Sequence, residues 1–152
     1  MIIYHQISTQ DPEYSQEKEL RNRVLRIPLG LLLSENDVRD EDTQIHCVAL
    51  GSQGQVIGCV LVAFYETIAK IRQIAIEASY RNQGIGTQLM KCAERAVLAR
   101  DVYKVSLHAR VSAQGFFERL GYTATSEVFT EVTIPHITME KELGFTMSCI
   151  PY

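Results

Sequence analysis

The stretch RNQGIG at residues 81–86 is a glycine-containing turn, and it lies where the pattern of the chain changes from strand to helix. The run before it, residues 69–76, reads AKIRQIAI and is rich in β-branched side chains, as strands are. The run after it, residues 87–100, has apolar side chains at three- and four-residue spacing, which is typical of an amphipathic helix. Residues 102–107 have the pattern of a further strand. This order predicts a β-turn-α-β unit with a right-handed crossover and parallel strands.

A turn of this kind at the start of a helix has the properties of a diphosphate site. Gly84 and Gly86 let the backbone approach a ligand closely and adopt positive φ. The first N–H groups of the following helix have no partners within it, and the helix dipole favours an anion. The sequence has no GK[ST] to make a P-loop and no third glycine to make a dinucleotide-binding fingerprint. Taken alone, a GxG turn is more often a tight surface turn that caps a helix.

Strands and helices alternate along the rest of the chain, so the predicted fold class is α/β (α+β). The predicted strands cover residues 2–7, 45–50, 56–65, 69–76, 102–107, 122–132 and 136–143. The predicted helices cover residues 15–26, a short segment that begins near Ser34, residues 87–100 and residues 112–120. The chain has 152 residues without a linker or repeat, which predicts a single domain over residues 1–152.

Composition and charge exclude several classes of protein. The formal net charge of −3, with acidic and basic residues mixed, provides no basic field for nucleic acid or anionic lipid. No apolar signal segment is present and no apolar run approaches the ~20 residues of a membrane span, so we expect a soluble, cytoplasmic protein without a membrane partner. Cys47, Cys59, Cys92 and Cys149 are scattered, with no histidine at zinc-ligand spacing. We therefore expect reduced cysteines and no metal site.

The glycine turn, its flanking elements and FFERLGY at residues 116–122 occur together in the order that one superfamily shows. With RxxGxG beginning at Arg81, the chain resembles the GNAT superfamily of N-acetyltransferases. Several local signals agree with one fold, and the resemblance implies a central mixed, mostly antiparallel sheet of about seven strands with about four helices. In that fold the parallel fourth and fifth strands splay apart, and the pantetheine arm of acetyl-CoA lies between them. The resemblance implies that acetyl-CoA, the cosubstrate, is bound by Ile74, Ala75, Ile76, Arg81, Asn82, Gln83, Gly84, Ile85, Gly86, Thr87 and Phe117.

Four stretches resemble a narrower group, the glyphosate N-acetyltransferases and their bacterial relatives, which acetylate small acidic amines. These stretches are ELRNRVLR (19–26), IRQIAI (71–76), HARVSAQGFFERLGY (108–122) and IPHITM (134–139). The resemblance implies that the acceptor amine attacks acetyl-CoA directly, with no covalent enzyme intermediate. It also allows a homodimer formed through an outer strand.

The resemblance implies roles for individual side chains. His136 matches the family's catalytic base, and an imidazole with an ordinary pKa of about 6.5 can accept an amine's proton at neutral pH. Arg26, Arg72 and Arg110 match the residues that bind the acceptor's anionic group. The alternatives are a histidine that bonds backbone groups at a strand entry and arginines that are solvated surface charges.

One position departs from the family pattern. Where the superfamily often has a tyrosine that protonates the thiolate of coenzyme A, this chain has Phe117. We expect the thiolate to leave unassisted or with the help of water, because thiols have pKa values of about 8.5. A backbone N–H near Ile74 is expected to polarise the thioester oxygen.

Two other functions are compatible with the sequence. The first is a protein or peptide N-acetyltransferase, which would need an acidic groove for a basic substrate, whereas the three arginines favour an anionic one. The second is a coenzyme A-binding sensor or partner module without turnover. The phenylalanine at position 117 slightly favours the sensor, and the retained IPHITM opposes it.

Overall fold

The computed structural model describes residues 1–144, in which eight strands form one sheet. The strands are β1 (Ile3–Ile7), β2 (Ile45–Leu50), β3 (Val56–Tyr65), β4 (Ile68–Ile76), β5 (Lys104–Arg110), β6 (Thr123–Ala124), β7 (Phe129–Glu131) and β8 (Ile134–Glu142). The α-helices are α1 (Glu13–Arg21), α2 (Ile85–Leu98) and α3 (Gln114–Arg119). No helix in these residues is long and apolar enough to cross a bilayer.

The sheet is mixed and mostly antiparallel. Its strand order is β1-β2-β3-β4-β5-β8-β6, and β7 also pairs with β8. β4 and β5 are parallel, and their ladder joins residues 68–71 to residues 104–107, while β4 continues to Ile76 and β5 to Arg110. The predicted GNAT fold is confirmed. The described residues have eight strands and three α-helices, where about seven strands and about four helices are predicted.

The chain divides into two compact units, with the boundary inside β4. The first unit consists of Met1–Ala63 and Arg72–Ala96, and the second of Phe64–Ile71 and Val97–Tyr152. The first therefore contains β1, β2, α1 and most of β3 and α2, and the second contains β5 to β8 and α3. Each unit has its own fully buried apolar side chains, such as Leu61 in the first and Met139 in the second.

In the first unit, α1 packs its apolar side onto the sheet. Leu20 is fully buried in a cluster with apolar side chains of β1, β2, β3 and β4. The cluster consists of Ile7, Leu20, Val48, Leu50, Val56, Cys59, Leu61 and Ala75. Val24 and Leu25 are partly buried and pack against it. The three- and four-residue spacing of the apolar side chains predicts this packing.

The described cysteines are core side chains of the first unit. Cys47, Cys59 and Cys92 are buried and free. Burial raises the pKa of the Cys59 thiol, so this side chain stays an uncharged thiol. Cys149 lies outside the described residues.

Helix α1 also carries two charged side chains into the interior. Glu17 and Arg21 are fully buried, and Arg21 makes a two-armed ion pair with Glu41, with Nη2 to Oε2 at 2.5 Å and Nη1 to Oε1 at 2.8 Å. The Nε of Arg21 donates to Gln73 of β4 at 2.5 Å. Buried charges are tolerated only when they are paired and hydrogen-bonded, and this guanidinium donates from all three nitrogens.

His46 completes this buried charged cluster, which we define as Glu17, Arg21, Glu41 and His46. Its Nδ1 lies 2.9 Å from Oε1 of Glu17, and its Nε2 lies 2.7 Å from the backbone carbonyl of Glu41. Burial acts to lower the pKa of His46, but the hydrogen bonds and negative charges of Glu17 and Glu41 together outweigh it, and the pKa is raised. Because both ring nitrogens face acceptors, the imidazolium fits the site. Its charge and that of Arg21 then balance the two carboxylates.

The geometry of the helix changes after Arg21. Asn22–Arg26 form a π-helical turn and Ile27–Leu29 a 3-10 turn, which ends at Gly30 with a left-handed φ of 74°. The predicted helix over residues 15–26 is therefore α-helical only as far as Arg21. A π turn widens the helix and changes the direction of the side chains that follow, and such turns are frequent at functional sites.

The predicted helix that begins near Ser34 does not form. Ser34 N–H donates to Oδ2 of Asp37 at 2.9 Å and Asp37 N–H donates to Oγ of Ser34 at 3.1 Å, which are the reciprocal bonds of a capping box. Only turns follow over residues 35–40, and then a 3-10 turn over Glu41–Thr43. The segment has no apolar stripe to bury, and its short polar side chains favour turns over helix.

The predicted strand over residues 122–132 is divided into β6 and β7, and β7 joins β8 through a two-residue turn. In that turn Val132 has a φ of 49° and Thr133 a φ of 63°. Positive φ at both central residues is typical of a type I′ hairpin turn, for which Asn-Gly is preferred. β-branched side chains are rare in this conformation, because the Cβ crowds the backbone. The turn therefore carries local strain.

Relaxing this turn should stabilise the protein. In the variant V132N/T133G both residues suit a positive φ, which removes strain of about 1–3 kcal/mol per residue, partly offset by the freedom that glycine adds to the unfolded chain. We expect the free energy of unfolding in urea to rise by about 1–2 kcal/mol. V128N, which changes an exposed valine outside the turn, is the control and should have little effect. A double variant less stable than the wild type would contradict the strained turn.

The buried charged cluster should make stability depend on acidic pH. Burial acts to raise the pKa of Glu41, but its bonds from Arg21 hold it at about 2, below the ordinary 4.5. Such a depressed pKa contributes stability that is present above pH 4.5 and is lost as the pH falls through 2. We expect E41Q to lower the free energy of unfolding at pH 7 by about 3–5 kcal/mol, because Arg21 then lacks its charged partner.

The acid dependence itself gives the second measurement. Urea titrations at several pH values should show that the wild type loses stability as the pH falls from 4.5 to 2, and that E41Q loses less over the same range. D42N, which changes the exposed carboxylate next in the chain, should follow the wild type. Parallel curves for E41Q and the wild type would show that Glu41 is not charged in the interior.

Candidate active site

The predicted site residues are divided between the two units. Those in the first unit are Arg26, Arg72, Ile74, Ala75, Ile76, Arg81, Asn82, Gln83, Gly84, Ile85, Gly86 and Thr87. Those in the second unit are Arg110, Phe117 and His136. Within each unit several of these side chains lie together, and further residues that the sequence did not single out lie beside them.

The glycine turn of the first unit is exposed and leads directly into α2. Residues 81–84 are exposed, and Asn82 and Gly84 have left-handed φ values of 63° and 80°. A Cβ on Gly84 would meet no atom within 4 Å. This open space leaves room for a ligand against the backbone. The next residue, Ile85, is buried and anchors the start of the helix.

The start of α2 presents amides without helical acceptors beside this open space. Gln88 N–H donates to the Gly84 carbonyl at 3.2 Å, which is the first hydrogen bond of the helix. The N–H groups of residues 85–87 therefore have no acceptor within the helix. The helix is 14 residues long, and its dipole adds a partial positive charge at this end. Amides and dipole together suit a diphosphate.

Strand β4 continues beyond its parallel ladder. Ala75 is buried in the apolar cluster of the first unit, so its neighbours Ile74 and Ile76 project from the opposite face of the strand. Both isoleucines are half-buried. Ile74, whose N–H is predicted to polarise the thioester oxygen, thus lies in the part of β4 that follows the ladder at residues 68–71.

Arg26 closes the π turn and has a buried atom without a partner. Its Nε is buried and makes no hydrogen bond within residues 1–144. A buried N–H without an acceptor costs about 1–3 kcal/mol, so this atom is a candidate for binding an acceptor atom of a ligand. Asp37 lies close enough for the charge of Arg26 to affect its pKa. A backbone hydrogen bond at Ser34 lowers the pKa of Asp37, and the charges of Arg26 and Arg72 lower it further.

Arg72 acts on the same aspartate, but it is already paired. Its Nη1 donates to Oε2 of Glu41 at 3.1 Å and to Oε1 of Gln44 at 2.8 Å, and its Nη2 donates to the carbonyl of Asp37 at 3.4 Å. Glu41 is therefore the specific partner that a charge inside an apolar strand requires. Because Glu41 also pairs with Arg21, one carboxylate serves two guanidiniums, and Arg72 is only partly neutralised.

In the second unit, His136 is buried near the start of β8 with a defined tautomer. Its Nδ1 lies 2.7 Å from the backbone carbonyl of Ile134. A carbonyl oxygen only accepts, so Nδ1 carries the hydrogen and Nε2 of the neutral ring has the lone pair. The histidine does bond a backbone group, as the structural alternative requires, but it does so with one nitrogen and keeps the other available as a base.

The neighbouring strands place an arginine and an aromatic ring beside His136. Arg110 of β5 and Phe129 of β7 are its direct partners in the two ladders, and opposite side chains project from the same face. The ring of Phe129 stacks with the imidazole at a centroid distance of 6.2 Å and an angle of 24°. Within residues 1–144 the Arg110 guanidinium has no hydrogen-bond or ion-pair partner.

Two residues of this face are missing from the sequence-based predictions. Oε2 of Glu131 lies 3.7 Å from Nε2 of His136, and Oε1 of Glu131 lies 3.0 Å from Nδ1 of His108. The two-residue alternation of β5 is the signal that could have placed His108 on the face of Arg110. Glu131 had no such signal, because its hairpin lacks the Asn-Gly turn that would reveal the register.

Phe117 lies in an aromatic cluster of the second unit. It is buried in α3, and the rings of Phe116 and Tyr122 meet it edge to face at centroid distances of 5.0 Å and 6.0 Å. Such edge-to-face pairs stabilise apolar packing. The position where the superfamily often has a hydroxyl is therefore filled by packed rings.

Comparison with known proteins identifies the family. The family model described as Acetyltransferase (GNAT) domain matches residues 32–143. A protein of Bacillus subtilis (strain 168), named provisionally as an acetyltransferase, is 33% identical over 115 residues, which cover 76% of this chain and 77% of the relative. The structure of an acyl-CoA N-acyltransferase from Pseudomonas aeruginosa is similar with a TM-score of 0.80 and 25% identity, covering 93% of this chain and 99% of that one. A GNAT family acetyltransferase from Elizabethkingia anophelis with acetyl-CoA bound has a TM-score of 0.71 and 20% identity, covering 93% and 98%. Because the family match spans most of the chain, this protein belongs to the GNAT acetyltransferase family.

Proposed function

We propose that this chain moves the acetyl group of acetyl-CoA to the amine of a small, anionic acceptor by direct attack, as the glyphosate N-acetyltransferases do. One observation carries the proposal: the buried His136 has its hydrogen fixed on Nδ1 by the Ile134 carbonyl, which leaves the Nε2 lone pair free. A base that takes a proton from an amine needs such a lone pair.

The glycine turn supports acetyl-CoA as the cosubstrate. The space over Gly84 and the amides of residues 85–87 fit a diphosphate, and a GNAT structure of similar fold has acetyl-CoA bound. We propose that Arg81, Asn82, Gln83 and the start of α2 bind the diphosphate. In the same proposal, Ile74, Ala75, Ile76 and Phe117 contact the rest of the cosubstrate.

The proposed mechanism needs little from the protein beyond positioning and a base. Acetyl-CoA supplies an activated thioester. Nε2 of His136 takes the proton of the amine, and the N–H of Ile74 donates a hydrogen bond to the thioester oxygen. Phe117 has no hydroxyl, so the thiolate leaves without a protein acid and takes its proton from water.

Two arginines support an anionic acceptor. The Nε of Arg26 is buried and lacks an acceptor within residues 1–144. The guanidinium of Arg110 has no partner in the same part of the chain. Guanidinium groups bind carboxylates and phosphonates in two-armed geometry. Unpaired arginines would repel the basic peptides that a protein acetyltransferase binds, so they favour a small acidic amine.

The proposal also includes the setting in which the enzyme works. We propose that residues 1–152 work as one acetyltransferase domain in the cytoplasm, without a nucleic-acid or membrane partner. The net charge of −3 supports this, because it gives no field that would attract polyanions. A homodimer through an outer strand is part of the same proposal.

The base can be tested by replacing His136 with asparagine. H136N keeps a polar side chain at this position but accepts no proton, so we expect kcat to fall by about 10²–10⁴-fold. The affinity for acetyl-CoA, measured by calorimetry, should stay the same, because His136 is not among the residues proposed to bind the cosubstrate. The assay measures release of the coenzyme A thiol with acidic amino acids, aminophosphonates and peptides as acceptors.

The matched control for this experiment is H5N, which changes an exposed histidine of β1 and should keep full activity. Full activity in H136N would refute the base. Parallel double-reciprocal plots would indicate a covalent intermediate and refute direct attack. Binding of acetyl-CoA without thiol release on any amine would instead favour the sensor.

The anion site can be tested with R26Q. A charge-assisted hydrogen bond contributes about 1.5–3 kcal/mol, so we expect KM for the acidic acceptor to rise by about 10–100-fold. KM for acetyl-CoA should stay within about twofold, since the proposed cosubstrate residues are unchanged. R39Q removes an exposed arginine and serves as the control. An unchanged KM for every acidic acceptor would show that Arg26 is a structural residue.

A further inference from the structure

Several polar side chains of the second unit face His136 from two strands. His108 and Arg110 are two residues apart in β5 and therefore share one face. His136 is the ladder partner of Arg110, which puts it on that face as well. From the other side, β7 contributes Glu131. The charged and titratable groups around the imidazole are thus Arg110 from β5, Glu131 from β7 and, through Glu131, His108.

Glu131 uses its two oxygens on two different histidines. Oε1 lies 3.0 Å from Nδ1 of His108, which is a hydrogen-bond distance. Oε2 lies 3.7 Å from Nε2 of His136, which is too long for a hydrogen bond but close enough for an ion pair. The Nε2 lone pair therefore stays unused while an anion lies beside it. The contact with His108 fixes the carboxylate in this position.

An aromatic ring keeps the two imidazoles in place. Phe129 meets His108 edge to face at a centroid distance of 5.0 Å and stacks with His136 at 6.2 Å. Both imidazoles are therefore in ring contact with Phe129. The apolar ring also excludes water from the side of His136 that it covers.

Glu131 and His108 are both more exposed to solvent than His136. The side chain of His136 is 9% exposed, whereas that of Glu131 is 41% exposed and that of His108 is 29% exposed. A proton on Nε2 of His136 has little direct access to water. The carboxylate of Glu131 lies 3.7 Å from this nitrogen and reaches solvent, so it can accept the proton.

We propose that Glu131 is a positioning residue that stabilises the imidazolium of His136 and carries its proton to solvent. The inference rests on the proposed function, in which Nε2 takes the proton of the acceptor amine. The N–H bond of the amine breaks and an Nε2–H bond forms. The positive charge of the imidazolium draws the carboxylate from 3.7 Å into hydrogen-bond distance, the Nε2–H bond breaks as an O–H bond forms on Oε2 of Glu131, and the half-exposed carboxyl releases the proton to water. The neutral histidine and the carboxylate are restored, so no other reactant is needed.

Kinetics of E131A test the proton step. We expect kcat to fall by about 10–100-fold, less than the 10²–10⁴-fold expected for loss of the base itself. KM for acetyl-CoA should be unchanged. Added formate, a carboxylate small enough for the vacated space, should restore part of kcat, and E131D should retain more activity than E131A. E127A removes an exposed glutamate of the preceding segment and is the matched control.

Proton NMR tests the geometry without any acetyl transfer. In the free wild-type protein, the Nδ1–H of His108 and the Nδ1–H of His136 should both be protected from exchange with water, because each donates a hydrogen bond. In E131A the His108 signal should be lost and the His136 signal should remain, since its acceptor is the Ile134 carbonyl. E127A should show both signals.

Each of these results tests a different part of the proposal. Unchanged kcat in E131A, or a loss that formate does not restore and that is matched by a rise in KM for acetyl-CoA, would overturn the proton role. A His108 signal that persists in E131A would overturn the contact on which the role depends. A wild-type protein that acetylates no amine would refute the proposed function and the proton step with it, while the NMR result would still decide whether Glu131 holds His108.

Discussion

One buried carboxylate, that of Glu41, links the parts of the first unit from which its proposed acceptor-binding side chains project. It accepts hydrogen bonds from the Tyr14 hydroxyl, from both Nη atoms of Arg21 and from Arg72. These bonds connect three parts of the first unit: helix α1, strand β4 and the segment that precedes β2. So many donors outweigh the cost of burial, which explains how a carboxylate in the interior stays ionised. The position of Arg72 is therefore set by folding and does not depend on a substrate.

This arrangement separates two kinds of arginine at the proposed acceptor site. Arg72 is held by Glu41 and Gln44, so it contributes orientation and a reduced charge. Arg26 is the last residue of the π turn, and its buried Nε has no hydrogen-bond partner within the described residues. A π turn costs helical regularity, and an unpaired donor costs free energy. Two such costs at one residue are expected where a ligand supplies the missing acceptor.

The sequence predicted the elements well where local pattern and tertiary packing agree. The β2 and β3 strands have the predicted bounds, and the glycine turn does lead from β4 into α2. The predictions failed where long-range contacts decide. The helix after Ser34 is absent although its capping bonds form, because the segment has no apolar stripe to bury. The pairing of Glu131 with two histidines depends on a turn at Val132 and Thr133, and these two residue types do not indicate a turn in the sequence. Resemblance supplied His136 and the arginines, but only coordinates reveal that Arg72 is paired and Arg26 is not.

The charges around His136 suggest how acceptor binding and proton transfer are coupled. In the free protein the ring has Arg110 as its ladder partner on β5 and Glu131 beside Nε2, so a cation and an anion act on it together. An acceptor whose anionic group binds Arg110 would neutralise the cation and leave the carboxylate as the dominant charge. The negative charge of Glu131 beside Nε2 is then no longer offset by Arg110 while the amine of that acceptor is in place. An acceptor without an anionic group would lack this effect. In the proposed function, a preference for acidic amines would therefore arise in the proton-transfer step as well as in binding.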